Sequence, residues 1–253
     1  MALAVSSAAD PYGAVAAHWD DLHVGPRSAA LVSFFAGLAP PGGHALEIGP
    51  GTGRMTLAVA GRAASVHCLE PSPGMRTVLM TKLAGQPDLR HRVTVLDGAA
   101  PGFRLGRRFD YVYLAAVLQD VPPRARLPLF SGLAEHLAPD GVLAMDMLTD
   151  EAVPDHPERE MRSARQGECR YTLSSAVRPL GQDLAWVRRV YRTYHRDVLV
   201  ATETVECDYH LHRPADVLAD LRAAGLTAVG GSAVTDEMTP LDDMGTLIAR
   251  HDS

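Results

Sequence analysis

Ala45-Leu46-Glu47-Ile48-Gly49-Pro50-Gly51-Thr52-Gly53-Arg54 is the stretch of this 253-residue chain from which the fold is read. Residues 45–48 have the apolar, β-prone character of a strand, three alternate glycines then make a tight turn, and a helical pattern follows over 54–61. Glycine takes positive φ without strain and lets a ligand approach the backbone. A dinucleotide fingerprint would place glycine where Arg54 stands, and a P-loop would close on Gly-Lys-Ser/Thr. The chain has neither. Glu47, just before the turn, would repel a pyrophosphate and favour a cationic ammonium group.

Outward from the turn, strands are predicted over 65–69, 93–96, 111–115 and 142–147, with helices over 74–83 and 127–137 between them. This alternation predicts βαβ units and a parallel sheet. Pro139-Asp140-Gly141 should end the helix before the fifth strand. Glu70 and Asp97 fall at strand carboxyl ends, where open α/β sheets bind ligands. A carboxylate at Glu70 could accept hydrogen bonds from both hydroxyls of a ribose, and Asp97-Gly98 could meet an adenine amino group.

After Met147 the texture changes. The charged stretch 149–170, with Pro154 and Pro157, is expected to be an exposed loop or irregular helix rather than a strand. Three strand-like runs, 170–177, 184–195 and 198–212, then read as an antiparallel insert. A helix opens at Arg213-Pro214 and ends at Gly225, before short strands over 226–229 and 246–249. The expected fold is α/β: a Rossmann-like, doubly wound, mostly parallel seven-stranded sheet with an antiparallel β insert after strand 5. Residues 1–147 form its core with an amino-terminal helical lid, 148–212 an insert that covers substrate or pairs subunits, and 213–253 complete the sheet.

Composition narrows the function. A net charge of −6 argues against general nucleic-acid binding, which needs a concentrated basic surface. No apolar run approaches the roughly 20 residues of a membrane span, and Met1 to Asp10 lack a secretory signal's basic flank, so a cytoplasmic protein is expected. Cys68, Cys169 and Cys207 are too few and too scattered for a disulfide framework or zinc site. Lys82 is the single lysine among 24 basic residues, as codon bias in a GC-rich bacterial genome would produce.

Together, Glu47 to Gly53 resemble the E/D-x-G-x-G-x-G motif of class I S-adenosylmethionine-dependent methyltransferases. Glu70 and Asp97 match that family's ribose-binding and adenine-side acids, and Leu218 to Leu226 its closing L-x-x-A-G-hydrophobic segment. The run from Tyr12 to Asp21 is similar to the Tyr-Asp-x-x-A-x-x-Tyr-Asp opening segment of small-molecule members, with Gly13 in place of the aspartate and Trp19 of the second tyrosine. The resemblance implies that S-adenosylmethionine lies against Tyr12, Glu47, Gly49, Pro50, Gly51, Gly53, Glu70, Pro71, Met75, Asp97, Gly98, Ala99, Leu114 and Ala115. It implies an acceptor near Trp19, His23, Gln119, Asp120 and Tyr209, and no metal.

The loop Ala115-Ala116-Val117-Leu118-Gln119-Asp120-Val121-Pro122 lacks the Asn-Pro-Pro-Tyr/Phe signature of nucleic-acid and protein-amide methyltransferases. Gln119 and Asp120 are the first acceptor contacts to consider, although either could cap the next turn. His210 is a candidate general base, with His18 and Gln119 beside it as catalytic candidates. His210, His212 and Cys207 lack a third ligand at recognisable metal spacing. On the strand over 184–195, Trp186, Arg188, Val190, Arg192, Tyr194 and Arg196 share one face, while Val187, Arg189, Tyr191 and Thr193 share the other. The first, basic-aromatic face could hold an anionic substrate part, and is read before that as a solvated or subunit-pairing surface. The expected activity is methyl transfer to a small molecule, with a natural-product, amino-sugar or peptide amine ahead of a hydroxyl, in a protein that pairs as a homodimer through the insert. Its rivals are a nicotinamide-dependent oxidoreductase, which Arg54 and Glu47 oppose, and a methyltransferase-like binding subunit without turnover.

Overall fold

In the computed structural model, which describes residues 10, 12–148, 154–231 and 244–252, the first three strands pair in parallel, each with the next. A 3-10 turn over Gly13–His18 and helices α1 (Trp19–Leu22) and α2 (Pro26–Leu38) precede β1 (His44–Ile48). Then follow α3 (Arg54–Ala60), β2 (Ser65–Glu70), α4 (Pro73–Ala84), α5 (Pro87–Arg90), β3 (Val93–Asp97) and β4 (Phe109–Leu114). A short 3-10 turn over Leu118–Asp120 leads into α6 (Pro123–His136) and β5 (Leu137–Leu148).

Further on lie β6 (His156–Gln166), β7 (Cys169–Pro179), β8 (Leu184–His195), β9 (Val198–His210), α7 (Pro214–Ala223), β10 (Leu226–Gly230) and β11 (Met244–His251). The main sheet has seven strands in the order β10-β11-β5-β4-β1-β2-β3, and only β11 runs against its neighbours. This is the sheet expected from the sequence. Strand order reverses between β1 and β4, so their carboxyl ends border the crevice in which such sheets bind ligands.

Strand periodicity explains the two buried layers. Leu46, Ile48, Val112, Leu114, Leu143 and Met145 pack with Leu129, Phe130 and Leu133 of α6 and with Val217 and Leu221 of α7. Their alternates Ala45, Val66, Cys68, Tyr111, Tyr113 and Ala144 pack with Phe35 of α2 and Val59 and Ala60 of α3. Pro139-Asp140-Gly141 falls within β5 rather than before it. Phe109 pairs with Leu137 and Tyr111 with Val142, so the proline-aspartate-glycine run bulges from the ladder.

The expectation of a loop or helix over 149–170 needs correction. Residues 156–166 form β6, and the insert is a four-stranded antiparallel sheet in the order β6-β7-β8-β9 rather than three strands. The expectation for residues 149–153 lies outside the described residues. As an edge strand β6 takes its hydrogen bonds from β7 on one side, and nearly all its side chains are exposed, so no apolar alternation marks it. Pro157 sits near its start, where a missing N–H costs little. Glu158 binds Arg192 at 2.5 Å and lies 3.7 Å from Arg188, both on β8.

Past β9, His212 turns inward to fasten the insert to the core. Its Nδ1 accepts from Arg126 Nη1 at 2.9 Å, and its Nε2–H donates to the Leu118 carbonyl at 2.8 Å. Arginine can only donate and a carbonyl only accept, so the ring is the neutral Nε2–H tautomer. Burial also holds its pKa below the usual histidine value. Arg126 reaches Asp220 of α7 at 2.6 Å. Arg126→Met is expected to cost about 2 kcal/mol in a urea titration, less than the roughly 3–5 of a fully buried pair because Asp220 is partly exposed.

Candidate active site

The turn after β1 is held open by its glycines. Gly49, Gly51 and Gly53 have φ values of +67°, +58° and +86°. A Cβ on Gly49 would sit 2.6 Å from Val117 Cγ2, and one on Gly53 would collide with Leu79 Cδ1. At Gly51 nothing lies within 4 Å, so the outer side of the turn faces free space. Glu70 sets the position of this face: one carboxylate oxygen accepts from Gly51 N–H at 2.8 Å and the other from Ser72 N–H at 2.9 Å. Each oxygen keeps a further lone pair, as a partner of two ribose hydroxyls requires. Burial raises the Glu70 pKa, while these two hydrogen bonds oppose the shift.

Ser72 caps α4 by accepting from Met75 N–H at 3.1 Å, and Met75 is buried beneath the helix start. Pro71 and Ala99 are exposed, and Gly98 is half-buried against Leu69. Asp97, at the end of β3 and level with Glu70, is well exposed and ion-paired with Arg76 at 2.9 Å. The open side of Gly51, the carboxylates of Glu70 and Asp97 and the absence of a phosphate-binding residue in the turn fit a nucleoside with a cationic tail.

Glu47 lies behind the turn rather than in it. It is 1% exposed, and its Oε2 accepts from Thr56 Oγ1 at 2.5 Å and Tyr113 Oη at 2.8 Å, with Cys68 Sγ at 3.9 Å. The strand's alternation turns it to the α3 side with Ala45, so it braces the start of α3 against β4. Burial pushes its pKa up to about 7.

The amino-terminal segment crosses this region. Asp10 accepts from the N–H groups of Tyr12 and Gly13 and from Ser72 Oγ at 2.7 Å. A Cβ on Gly74 would stand 2.6 Å from Gly13 Cα, so the two backbones touch. At Gly13 itself a Cβ would stand 2.5 Å from Asp10 Oδ2, which accounts for glycine where the related segment carries aspartate. Asp20 continues the fastening: it accepts from Thr52 Oγ1 at 2.8 Å, binds Lys82 and lies 4.0 Å from Arg54. Lys82 also donates to the Thr52 carbonyl at 2.8 Å, and Arg54 to the His23 carbonyl at 2.8 Å.

Asp120 and Arg189, surrounded by protein yet partly accessible, mark a recess between this segment, the Leu118–Asp120 turn and the inner faces of β8 and β9. Asp120 is solvent-accessible yet surrounded by protein, and Tyr12 Oη donates to it at 3.4 Å. Burial raises the Asp120 pKa to about 6, opposed by the Arg189 charge and the Tyr12 hydrogen bond; the Glu70 charge adds to the rise. Trp19 stacks on His23 at 3.9 Å, Tyr12 meets Trp19 edge-on at 5.6 Å, and His23 Nε2 bonds Tyr191 Oη at 2.9 Å. Burial, then the charges of Arg189, Arg54 and Arg162, hold the His23 pKa down to about 3. Trp19 packs against Val15, Leu22 and Tyr191, so it both anchors the segment and walls the recess.

The structure separates the remaining candidates. Tyr209 turns inward, and its hydroxyl accepts from Arg189 Nη2 at 2.5 Å. His210, one residue on, points to the opposite face of the sheet with Asp208 and near Arg124, away from the recess. His18 lies against Tyr171 at 4.6 Å. Gln119 is buried and donates to the Ala116 carbonyl at 2.5 Å, bracing its own loop. Ala116 has φ +54°, a strained value for alanine, and its N–H donates to Asp146 at 2.7 Å just beyond buried Leu114 and half-buried Ala115. Sequence reasoning missed Asp10, Tyr191 and the role of Arg189. The last two sit on one face of β8 in a pattern that periodicity detects but cannot orient.

Residues 46–143 match the family model described as a methyltransferase domain. Over 183 residues the chain is 32% identical to ribosomal RNA small subunit methyltransferase A of Deinococcus radiodurans, a match covering 71% of this chain and 56% of that protein. The chain thus spans about half the length of that curated relative. Among solved structures, the CcbJ methyltransferase from Streptomyces caelestis superposes with a TM-score of 0.74 at 20% identity, covering 96% of this chain and 97% of that one. An amino pentose methyltransferase of calicheamicin biosynthesis from Micromonospora echinaspora, solved with S-adenosylmethionine bound, gives 0.74 at 18% identity, covering 94% and 97%. Residues 46–143 therefore match a methyltransferase domain, and nearly the whole chain shares the fold of these methyltransferases.

Two outcomes test the site. Glu70→Ala is expected to weaken binding of S-adenosylhomocysteine by roughly 1.5–3 kcal/mol in calorimetry, and unchanged affinity would remove Glu70 from the site. Glu47 has a folded pKa of about 7 against an ordinary 4.5, so its contribution is fully present below 4.5 and is lost as pH rises through 7. Relative to Glu47→Gln, the wild type should lose roughly 1–3 kcal/mol across that window in pH-dependent denaturation.

Proposed function

We propose that the protein transfers a methyl group from S-adenosylmethionine to an amine of a small molecule, the acceptors in view being natural-product amines, amino sugars and peptide amines. The observation that carries this reading is Asp120, a carboxylate in a walled recess close enough to Glu70 to feel its charge. Gly49 to Gly53, Glu70, Met75 and Asp97 would hold the cofactor. When bound, S-adenosylmethionine supplies an electrophilic methyl group: the acceptor nitrogen takes the methyl carbon as the carbon–sulfur bond breaks and its electron pair stays on sulfur.

The chain's own contribution is alignment and exclusion of water, which lower the barrier of an in-line displacement. Tyr12, Trp19 and His23 cover the recess, and Asp120 attracts the acceptor ammonium and takes up its proton. A hydroxyl acceptor would need a stronger base. His23 is held too acidic for that role, and His210 faces elsewhere. A homodimer through the second sheet belongs to the same reading, because edge strand β9 opens with exposed Val198, Leu199 and Val200.

Methyl-labelled cofactor offered with paired amine and hydroxyl acceptors tests the proposal. Label is expected in amines, with a rate that rises with pH through about 6 as Asp120 ionises. Asp120→Asn should lose roughly a hundredfold in kcat and the limb near that pH. Label confined to hydroxyl acceptors, or full activity in Asp120→Asn, would refute the reading.

A further inference from the structure

The insert carries arginines on both faces of β8, and the two faces differ in one respect. On the outer face of β8 both arginines are matched: Arg188 lies 3.7 Å from Glu158 and 3.5 Å from Glu206, and Arg192 binds Glu158 at 2.5 Å. This face carries a network of partly exposed ion pairs. Arg189 points the other way, into the recess. Protein surrounds it on nearly every side, yet part of its surface stays accessible, so it lines an internal space.

Its partners are those of a cation awaiting an anion. It donates to Tyr209 Oη at 2.5 Å and lies over the Tyr209 ring at 5.3 Å. The other groups around it are Tyr12, Tyr191 and Cys207, with Asp120 across the recess and the neutral His23 nearby. Among the described residues no carboxylate reaches ion-pair distance of Arg189. A guanidinium keeps its charge at any working pH, and a buried charge without a counter-ion is expensive. Phenols soften that cost without neutralising it. Among the described residues Asp120 is the carboxylate that faces Arg189, and it is already bonded to Tyr12.

We propose that Arg189 is the anion subsite of the acceptor pocket, so that the substrate is an amine that also bears a carboxylate or phosphate group. This rests on the recess being the acceptor site. The acceptor nitrogen lies toward Asp120 and its oxyanion toward Arg189, two opposite charges that fix the molecule end to end. The guanidinium fork suits either oxyanion, because both present paired oxygens to its two N–H groups. Neutral amines of the same size would lack this fixed orientation.

Calorimetric titration of the S-adenosylhomocysteine-saturated protein with inorganic phosphate, and separately with acetate, tests this directly. At least one anion should bind in the millimolar range. Arg189→Met should weaken that binding at least tenfold, Arg189→Lys should restore part of it, and Arg192→Met on the outer face should leave it unchanged. Whichever anion binds more tightly names the oxyanion class. Failure of both anions to bind the wild type, equal binding in Arg189→Met, or an equal loss in Arg192→Met would overturn the proposal. S-adenosylhomocysteine affinity, measured first, should be the same in all four proteins. Its absence in the wild type would refute the methyltransferase reading instead, and the anion titration could then be read on the free protein.

Discussion

The two hydrogen bonds that Glu70 accepts from Gly51 and Ser72 are the constraint on which the site depends. They join the turn after β1 to the start of α4, two segments that the strand order alone would leave independent. A carboxylate held by two backbone N–H groups is fixed in direction, so its remaining lone pairs aim at one place. Everything that lies over this place is fastened to the same pair of segments: Asp10 to Ser72, Gly13 to Gly74, and Asp20 to Thr52 and Lys82. The covering segment and the turn are thereby positioned as one unit.

The fold was legible because a parallel sheet buries both faces of its strands, which leaves apolar runs between glycine and proline turns. β6 was not legible for the complementary reason. An edge strand whose side chains meet water is specified by backbone pairing with its neighbour and by ion pairs such as Glu158 with Arg192, neither of which leaves an apolar period. Glu47 shows a different limit. The motif names the residue, but the pleat of β1 decides that its carboxylate turns toward Thr56 and Tyr113 behind the turn. Likewise Gly13 departs from the related segment because a side chain there would run into the Asp10 carboxylate, a contact that the motif does not reveal.

The insert shows how far periodicity carries an argument. Alternation along β8 divides its arginines correctly into two faces, and nothing in the sequence says which face turns inward. Packing decides it: Val187 and Tyr191 join buried clusters with Tyr209 and Val15, which carries Arg189 into the recess and leaves Arg188 and Arg192 outside. The same reasoning separates Tyr209 from His210 and His212, adjacent or near in sequence, into a recess wall, an outer-face residue and a pin between insert and core.

The solitary lysine has a practical meaning. Lys82 is the chain's one ε-amino group, and it is held between the Asp20 carboxylate and the Thr52 carbonyl where the covering segment meets the glycine turn. Acylating reagents selective for side-chain amines therefore have a single address on this protein, at the junction of the amino-terminal segment and the glycine turn.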